Sequence, residues 1–271
     1  MKKMLLLGLS MCLLVASLTG CGNKPAPTTS KAKLVVAMEL AYPPFEMKDA
    51  AGNPTGVSVD FAQALGKELG REVVIQNTAW EGLIPSVQTG KADLVISSMS
   101  VNAERQKSVD FSVPYANSML GILASKNAQI KTIEDLNQPG KKIAVKIGTV
   151  GFLYAKKHID KAEIIALADE SACAAEVQQG KADGFLYDQL TVYRHWQKNP
   201  TTTTAIFVPY QDVDKWCVAV KKGNTELLNQ VNAFIPKYTA SGGFEQLSQK
   251  YLPSEKAAFD KLGFRWFFDV K

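Results

Sequence analysis

The run KADLVISSMSVNAER, residues 91–105, decides how the rest of the chain is read. Three apolar residues, Leu94 to Ile96, lead into the hydroxyl residues Ser97, Ser98 and Ser100. Asn102 then opens a helical stretch with Glu104 and Arg105 in its first turn, and Asn is a strong helix N-cap. A strand that ends in hydroxyls and backbone N–H groups beside an Arg is suited to holding a carboxylate. The segment just before it has an echo. VQTGKAD, residues 87–93, returns ninety positions later as VQQGKAD, residues 177–183, with one substitution. The copy runs on to Asp188, the counterpart of Ser98. Hydroxyls and an Arg in one unit, a carboxylate in its repeat: that pairing suits a zwitterion held between two related lobes.

The remaining pattern alternates strand and helix. Residues 33–38 (KLVVAM) read as a buried strand, and residues 39–45 as a loop because Pro43 and Pro44 oppose both helix and strand pairing. An apolar stripe at Phe61, Ala62, Leu65 and Leu69 predicts a helix over 59–69, stopped by Gly70. A strand over 72–76, a short helix over 80–88 and the strand of the opening run complete an alternation that makes an open, largely parallel sheet. Ligands of such sheets sit beyond the carboxyl ends of the strands, where Glu39, Tyr42, Ser97, Ser98, Ser100 and Arg105 all fall. The pattern restarts after residue 130, with strands expected over 142–146, 163–167 and 184–187, then closes with helices over 226–238 and 244–250. The expected fold is α/β and two-lobed, with residues 33–118 and 216–271 in the first lobe and 119–215 in the second. Crossings near 115–120 and 213–217 would form a two-strand hinge.

Length and composition agree with two such lobes. The chain has 271 residues, 46% of them apolar and 21% charged, the profile of a folded protein. Lys2 and Lys3 followed by an apolar run over 4–18 read as an export signal over residues 1–20. Without those two Lys the 31 basic residues become 29 against 26 acidic ones, so no nucleic-acid footprint exists. The run ends in Leu18-Thr19-Gly20-Cys21, where a lipidated Cys21 would anchor the protein at the membrane face through a flexible linker over 21–32. Of the two later cysteines, Cys173 and Cys217, the sequence leaves two readings open, a disulfide or two buried thiols.

Taken together, the motifs resemble the bacterial extracellular solute-binding proteins of the polar amino acid type, family 3. The marks are Tyr42-Pro-Pro-Phe45-Glu46, Gly56-x-x-x-Asp60, Trp80 with Leu83-Ile84-Pro85, and Gly90-Lys91-x-Asp93. They continue in Ser98-Met-Ser-x-Asn-x-Glu104-Arg105, Val109-Asp-Phe-Ser-x-Pro-Tyr115, Gly148-Thr149 and Gly180-Lys181-Ala-Asp183. The resemblance implies a periplasmic-binding-protein-like fold of type II, a free L-amino acid as ligand, and delivery to the permease and ATPase of an ABC importer. It implies that Tyr42 and Trp80 sandwich the ligand side chain, and that Ser98 and Ser100 hydrogen-bond it. Arg105 clamps the α-carboxylate, met also by the Thr149 and Val150 backbone, and Asp188 takes the α-ammonium. Ser97 lies where some members touch the side chain. Glu39 and Lys146 sit where selectivity is set: paired across the cleft they favour an amide such as glutamine, whereas a free Glu39 suits arginine or lysine. The protein is expected to be monomeric, exported and lipid-anchored.

Other chemistry finds little support. His158, His195, Cys173 and Cys217 share no metal-ligand spacing, and neither a phosphate-cradling loop nor a nucleophile elbow is present. No cofactor is expected. Two alternatives to transport remain: a dehydratase of the cyclohexadienyl dehydratase type, with Glu39 or Asp188 as acid or base, and a ligand-sensing receptor module.

Overall fold

The structure, a computed structural model, describes residues 33–207 and 212–270. The export signal, Cys21 and the 21–32 linker lie outside the described residues.

The first lobe opens with β1 (Lys33–Met38), a hairpin of β2 (Met47–Lys48) and β3 (Pro54–Thr55), and α1 (Val57–Glu68). Then come β4 (Glu72–Asn77), α2 (Leu83–Gln88), β5 (Leu94–Val95), α3 (Ala103–Ser108) and β6 (Val109–Phe111). The chain crosses over through β7 (Ala116–Ser118) into β8 (Leu120–Ser125), α4 (Ile133–Leu136), β9 (Lys142–Lys146) and α5 (Val150–His158). The second lobe continues with β10 (Glu163–Leu167), α6 (Glu170–Gln178), β11 (Gly184–Asp188), α7 (Gln189–Lys198) and β12 (Thr203–Ile206). β13 (Asp214–Trp216) crosses back to β14 (Ala219–Lys221), followed by α8 (Thr225–Ala240), α9 (Gly243–Tyr251) and α10 (Pro253–Leu262).

Each lobe holds one five-stranded sheet, and the two sheets have matching orders: β4-β1-β5-β14-β6 and β10-β9-β11-β8-β12. The first three strands of each run parallel, and the strand that arrives from the other crossing is antiparallel to the third. The repeated motif has one structural job in both lobes. Asp93 Oδ2 accepts the N–H of Val35 at 2.8 Å while its own N–H donates to Val35 O. Asp183 does the same with Lys142, again at 2.8 Å. Each Asp thus ties the start of its lobe's first parallel strand, far from the strands' carboxyl ends. The flanking ion pairs, Arg71–Asp93 and Lys141–Asp183, are partly exposed and worth at most about 1 kcal/mol, so the backbone tie is the main effect.

The apolar face of α1 is buried through Val57, Val59, Phe61, Ala62 and Leu65. The helix starts two residues before the sequence stripe predicts, because Gly56 turns at φ 122° with its α-carbon against the preceding loop: a β-carbon there would lie 2.4 Å from Phe45 O. That loop carries the Pro43–Pro44 pair in a cis peptide. Strand pairing, unexpected at two prolines, occurs just outside them, where Tyr42 and Glu46 exchange N–H···O bonds of 2.9 and 3.0 Å.

The crossings β7 and β13 pair antiparallel, Ala116 opposite Trp216 and Ser118 opposite Asp214. The apolar run over 216–220 is therefore split. Its first residue belongs to the ladder between the lobes and only Ala219–Lys221 joins a sheet. Cys173 and Cys217 are buried free thiols.

The aromatic end of the chain is expected on the first lobe, and Phe259, Trp266 and Phe267 do enter its core. It also reaches the second. Glu255 pairs with Arg194 of α7 at 3.3 Å, Phe259 meets Tyr193 edge-on at 5.9 Å, and Phe264 meets Phe207 at 4.8 Å. Asn117, on crossing strand β7, donates its N–H to Phe267 O and its side-chain amide to Asp269 O. The terminal segment therefore touches both lobes and a strand between them.

Candidate functional site

A cleft with about 520 Å³ of space, part of it open to solvent, lies at the carboxyl ends of the strands, between the two sheets. Glu39, Tyr42, Trp80, Ser97, Ser98, Ser100, Arg105, Thr149, Val150 and Asp188 all line it. Lys146 is not among the lining residues and meets them through Glu39 and Trp80. The sequence thus brings together residues spread over some 150 positions, because every lining segment follows a strand end or a crossing.

Arg105 is held in place before any ligand arrives. Asn102 caps α3 by accepting the Arg105 N–H at 2.9 Å, which fixes where the side chain leaves the helix. The guanidinium donates to Ser100 O at 2.5 Å and, across the cleft, to Gly148 O at 2.9 Å. Burial lowers its pKa to about 10, with the Asp214 carboxylate opposing that fall, so it remains cationic at neutral pH. Trp80 lies against it, the guanidinium carbon 5.2 Å from the ring centroid, and also against Lys146 Nζ at 5.8 Å. Gly148 has φ 73° and meets the Trp80 ring so closely that a β-carbon would sit 3.2 Å from Nε1.

On the opposite side Asp188 ends β11 and caps α7. Its Oδ1 accepts the N–H groups of Leu190 and Thr191 at 2.9 and 3.1 Å. Its buried Oδ2 makes no hydrogen bond of ordinary geometry, and the buried Tyr42 phenol, itself without one, stands close enough to steady its charge. Burial raises the Asp188 pKa, and the Tyr42 phenol and then the bonds from α7 oppose that rise. A buried, unmatched carboxylate oxygen costs more than the about 1–3 kcal/mol of a neutral group. The cavity therefore presents a fixed cation and, facing it from the other lobe, a carboxylate with one idle oxygen.

Glu39 and Lys146 make an ion pair across the cleft, and Glu39 also accepts the Trp80 N–H at 3.3 Å. Of the two arrangements open in the sequence, this is the paired one. Ser97 serves its neighbours: its Oγ accepts the Glu39 N–H at 3.0 Å and donates to Glu46 at 3.4 Å. Thr149 caps α5, but its hydroxyl donates to Lys146 O at 2.7 Å and its N–H to the same oxygen at 3.3 Å. The donors that the α5 terminus offers the cavity thus begin at Val150. Gly151 follows, 2.3 Å from Leu186 O at its would-be β-carbon, so the helix end rests directly on β11.

Sequence reasoning missed other lining residues: Glu46, Ser118, Leu120, Gly151, Tyr187, Asp214 and Trp216. Tyr187 stands inside the echo and Glu46 inside the Tyr42 loop motif, so both had a signal. Trp216 packs on Phe45 and Phe267 as part of the wall, and nothing in its local sequence marks it as a cavity residue.

Comparison with known proteins finds relatives that are amino-acid-binding proteins. The L-cystine-binding protein TcyJ of Escherichia coli is 31% identical over 224 residues, covering 82% of this chain and 83% of its own. The L-arginine-binding protein of Pseudomonas aeruginosa is 31% identical over 273 residues, 97% of this chain and 99% of its own. Among solved structures, the ancestral amino acid-binding protein AncCDT-1, a precursor of cyclohexadienyl dehydratase, superposes with a TM-score of 0.74 at 36% identity, over 81% of this chain and 95% of its own. A family model spans residues 34–254. The chain belongs to the bacterial extracellular solute-binding proteins, family 3.

Proposed function

We propose that this protein is an exported binding protein that captures a polar L-amino acid between its lobes and hands it to an ABC importer. One observation carries the reading: buried Arg105 and the unmatched Asp188 Oδ2 face one cavity, and an α-amino acid supplies a carboxylate for one and an ammonium for the other. Tyr42 and Trp80 flank the ligand's side chain, Ser98 and Ser100 bond its head group, and the Val150 N–H at the α5 terminus adds to the carboxylate site. Ligand meets the first lobe through Arg105 and Trp80, and closure about β7 and β13 brings Asp188, excluding water and strengthening each charge contact. Lipidated Cys21 keeps the protein, acting as a monomer, at the membrane face beside the permease.

For the side chain, a neutral amide is the leading choice. Glu39 is already matched by Lys146, so that end of the cavity offers one acceptor and one donor with no surplus charge, as glutamine requires. Arginine or lysine is the second reading, favoured by the similarity to an arginine-binding protein, and needs Glu39 to leave Lys146.

Calorimetric titration of the twenty amino acids and L-cystine at near-physiological salt tests the proposal. Binding of at least one, with Glu39→Gln reordering preferences instead of weakening all ligands alike, is the expected result. No binding to any of them, together with turnover of prephenate-like acids, would overturn it in favour of a dehydratase.

A further inference from the structure

Glu46 is an acid in the cavity that the amino-acid reading leaves without a role. It is 1% exposed, lines the cavity, and has hydroxyls instead of a cation as hydrogen-bond partners. Ser58 Oγ on α1 donates to its Oε2 at 2.5 Å, Ser98 Oγ to the same oxygen at 3.2 Å, and Ser97 Oγ to Oε1 at 3.4 Å. Also facing it are the phenols of Tyr42, Tyr115 and Tyr187 and the carboxylate of Glu39.

A hydroxyl has one hydrogen and two lone pairs. Once Ser98 gives its hydrogen to Glu46, only lone pairs are left to turn toward the cavity. Ser98 then accepts and cannot donate. Its backbone is built for this placement, held at φ 47°, a left-handed conformation that few non-glycine residues adopt. Ser97 is used up in the same way, donating to Glu46 and accepting from the Glu39 N–H, so one carboxyl sets the polarity of two adjoining hydroxyls.

We propose that Glu46 is a positioning residue of the ligand site: its ionised form takes the Ser98 hydrogen and makes Ser98 an acceptor beside Asp188, so that the cavity offers two acceptors that an ammonium's three hydrogens can meet and the single hydrogen of a hydroxyl at the same carbon cannot. The inference rests on the amino-acid reading above. It adds a second acceptor to Asp188 and extends selection to the head group, where Glu39 and Lys146 act on the side chain. Protonation follows from the same geometry. Burial raises the Glu46 carboxyl to about 8, so in the empty protein it is mostly protonated at pH 7. An ammonium arriving at Ser98 favours the ionised form that the three hydroxyls donate to, and one proton leaves Glu46 for solvent as ligand binds. Affinity then rises with pH toward about 8. The stability of the ligand-free protein moves oppositely: a raised carboxyl pKa means stability is lost as pH climbs from the ordinary carboxylate range toward about 8.

The test compares Glu46→Gln and Ser98→Gly with the unaltered protein; glycine suits the positive φ at 98. Probes are L-glutamine and L-arginine against their 2-hydroxy acid analogues, by calorimetry at pH 7 in two buffers of different ionisation enthalpy. The unaltered protein should prefer the amino acid and release a proton. Glu46→Gln, whose amide can donate to Ser98 and turn its hydrogen into the cavity, should lose about 10- to 100-fold of that preference and the proton release. Ser98→Gly should show the same loss of preference. If both variants weaken amino acid and analogue equally, or proton release persists in Glu46→Gln, Glu46 is only a structural buried acid and this proposal falls while the amino-acid reading stands. If the unaltered protein binds neither amino acid nor any other, both fall.

Discussion

The two lobes share a scaffold and differ in how the third parallel strand ends. In each, the Asp of a repeated turn ties the first strand, and the sheet orders match strand for strand. After β11 the chain enters α7 at once, so Asp188 is both strand end and helix cap, and its charge is fixed by two N–H groups of the helix. After β5 the chain takes an excursion through residues 96–101 before Asn102 caps α3. That detour frees three serines and sends Arg105 back across Ser100 O. The same strand terminus thus yields an anionic site when the exit is short and a cationic, hydroxyl-rich one when it is long. The scaffold is the same in both lobes, and the length of one connection sets the complementary chemistry.

Removing either charged end breaks this comparison. Arg105→Ala takes out the cationic half and should weaken every amino acid by about 3 kcal/mol or more, over 100-fold, in calorimetric titration. Affinity that survives within a few-fold would mean that the α5 terminus alone holds the carboxylate. Asp188→Asn is a finer cut. Asn caps helices as well as Asp does, so α7 and the melting temperature should hold while affinity falls by about 2 kcal/mol. A large drop in melting temperature with affinity intact would make Asp188 a cap and nothing else. The smallest expected effect comes from Arg194→Gln. Arg194 links α7 to Glu255 at 3.3 Å and to Pro43 O at 2.7 Å, holding the lobes together away from the ligand. The pair is partly exposed, so about 1 kcal/mol or less should be lost, seen as a few-fold weaker affinity and a larger scattering radius in the ligand-free protein. No change in either would show that the terminal segment is indifferent to closure.

Much of this was legible beforehand, and the gaps have physical causes. The echo and the alternating apolar runs predict two α/β lobes because a parallel sheet needs a crossover helix between strands, and that demand leaves a periodic trace. The residues at strand ends follow from the same rule. Helix α7 left a weaker trace: its sequence QLTVYRHWQK mixes β-branched and aromatic residues, and its stripe at Leu190, Tyr193 and Trp196 shows only once Asp188 is seen as its cap. Glu46 was present in a recognised loop motif, yet an acid in a loop reads as solvated. What buries it is α1, whose Ser58 arrives from twelve residues on because Gly56 lets the backbone pass. The double grip of the aromatic tail was beyond reading, since aromatic content announces burial without naming the surface that provides it.

Trp80 has a practical consequence. Its indole stands on the first lobe, lies against Gly148 of the second, and is within 6 Å of two buried cations, Arg105 and Lys146. Opening the cleft removes the glycine and Lys146 from that ring in one movement, and its surroundings turn from dry and charged to aqueous. On the closure proposed above, Trp80 is an optical gauge, and its share of the emission of an unlabelled sample should change as ligand is added.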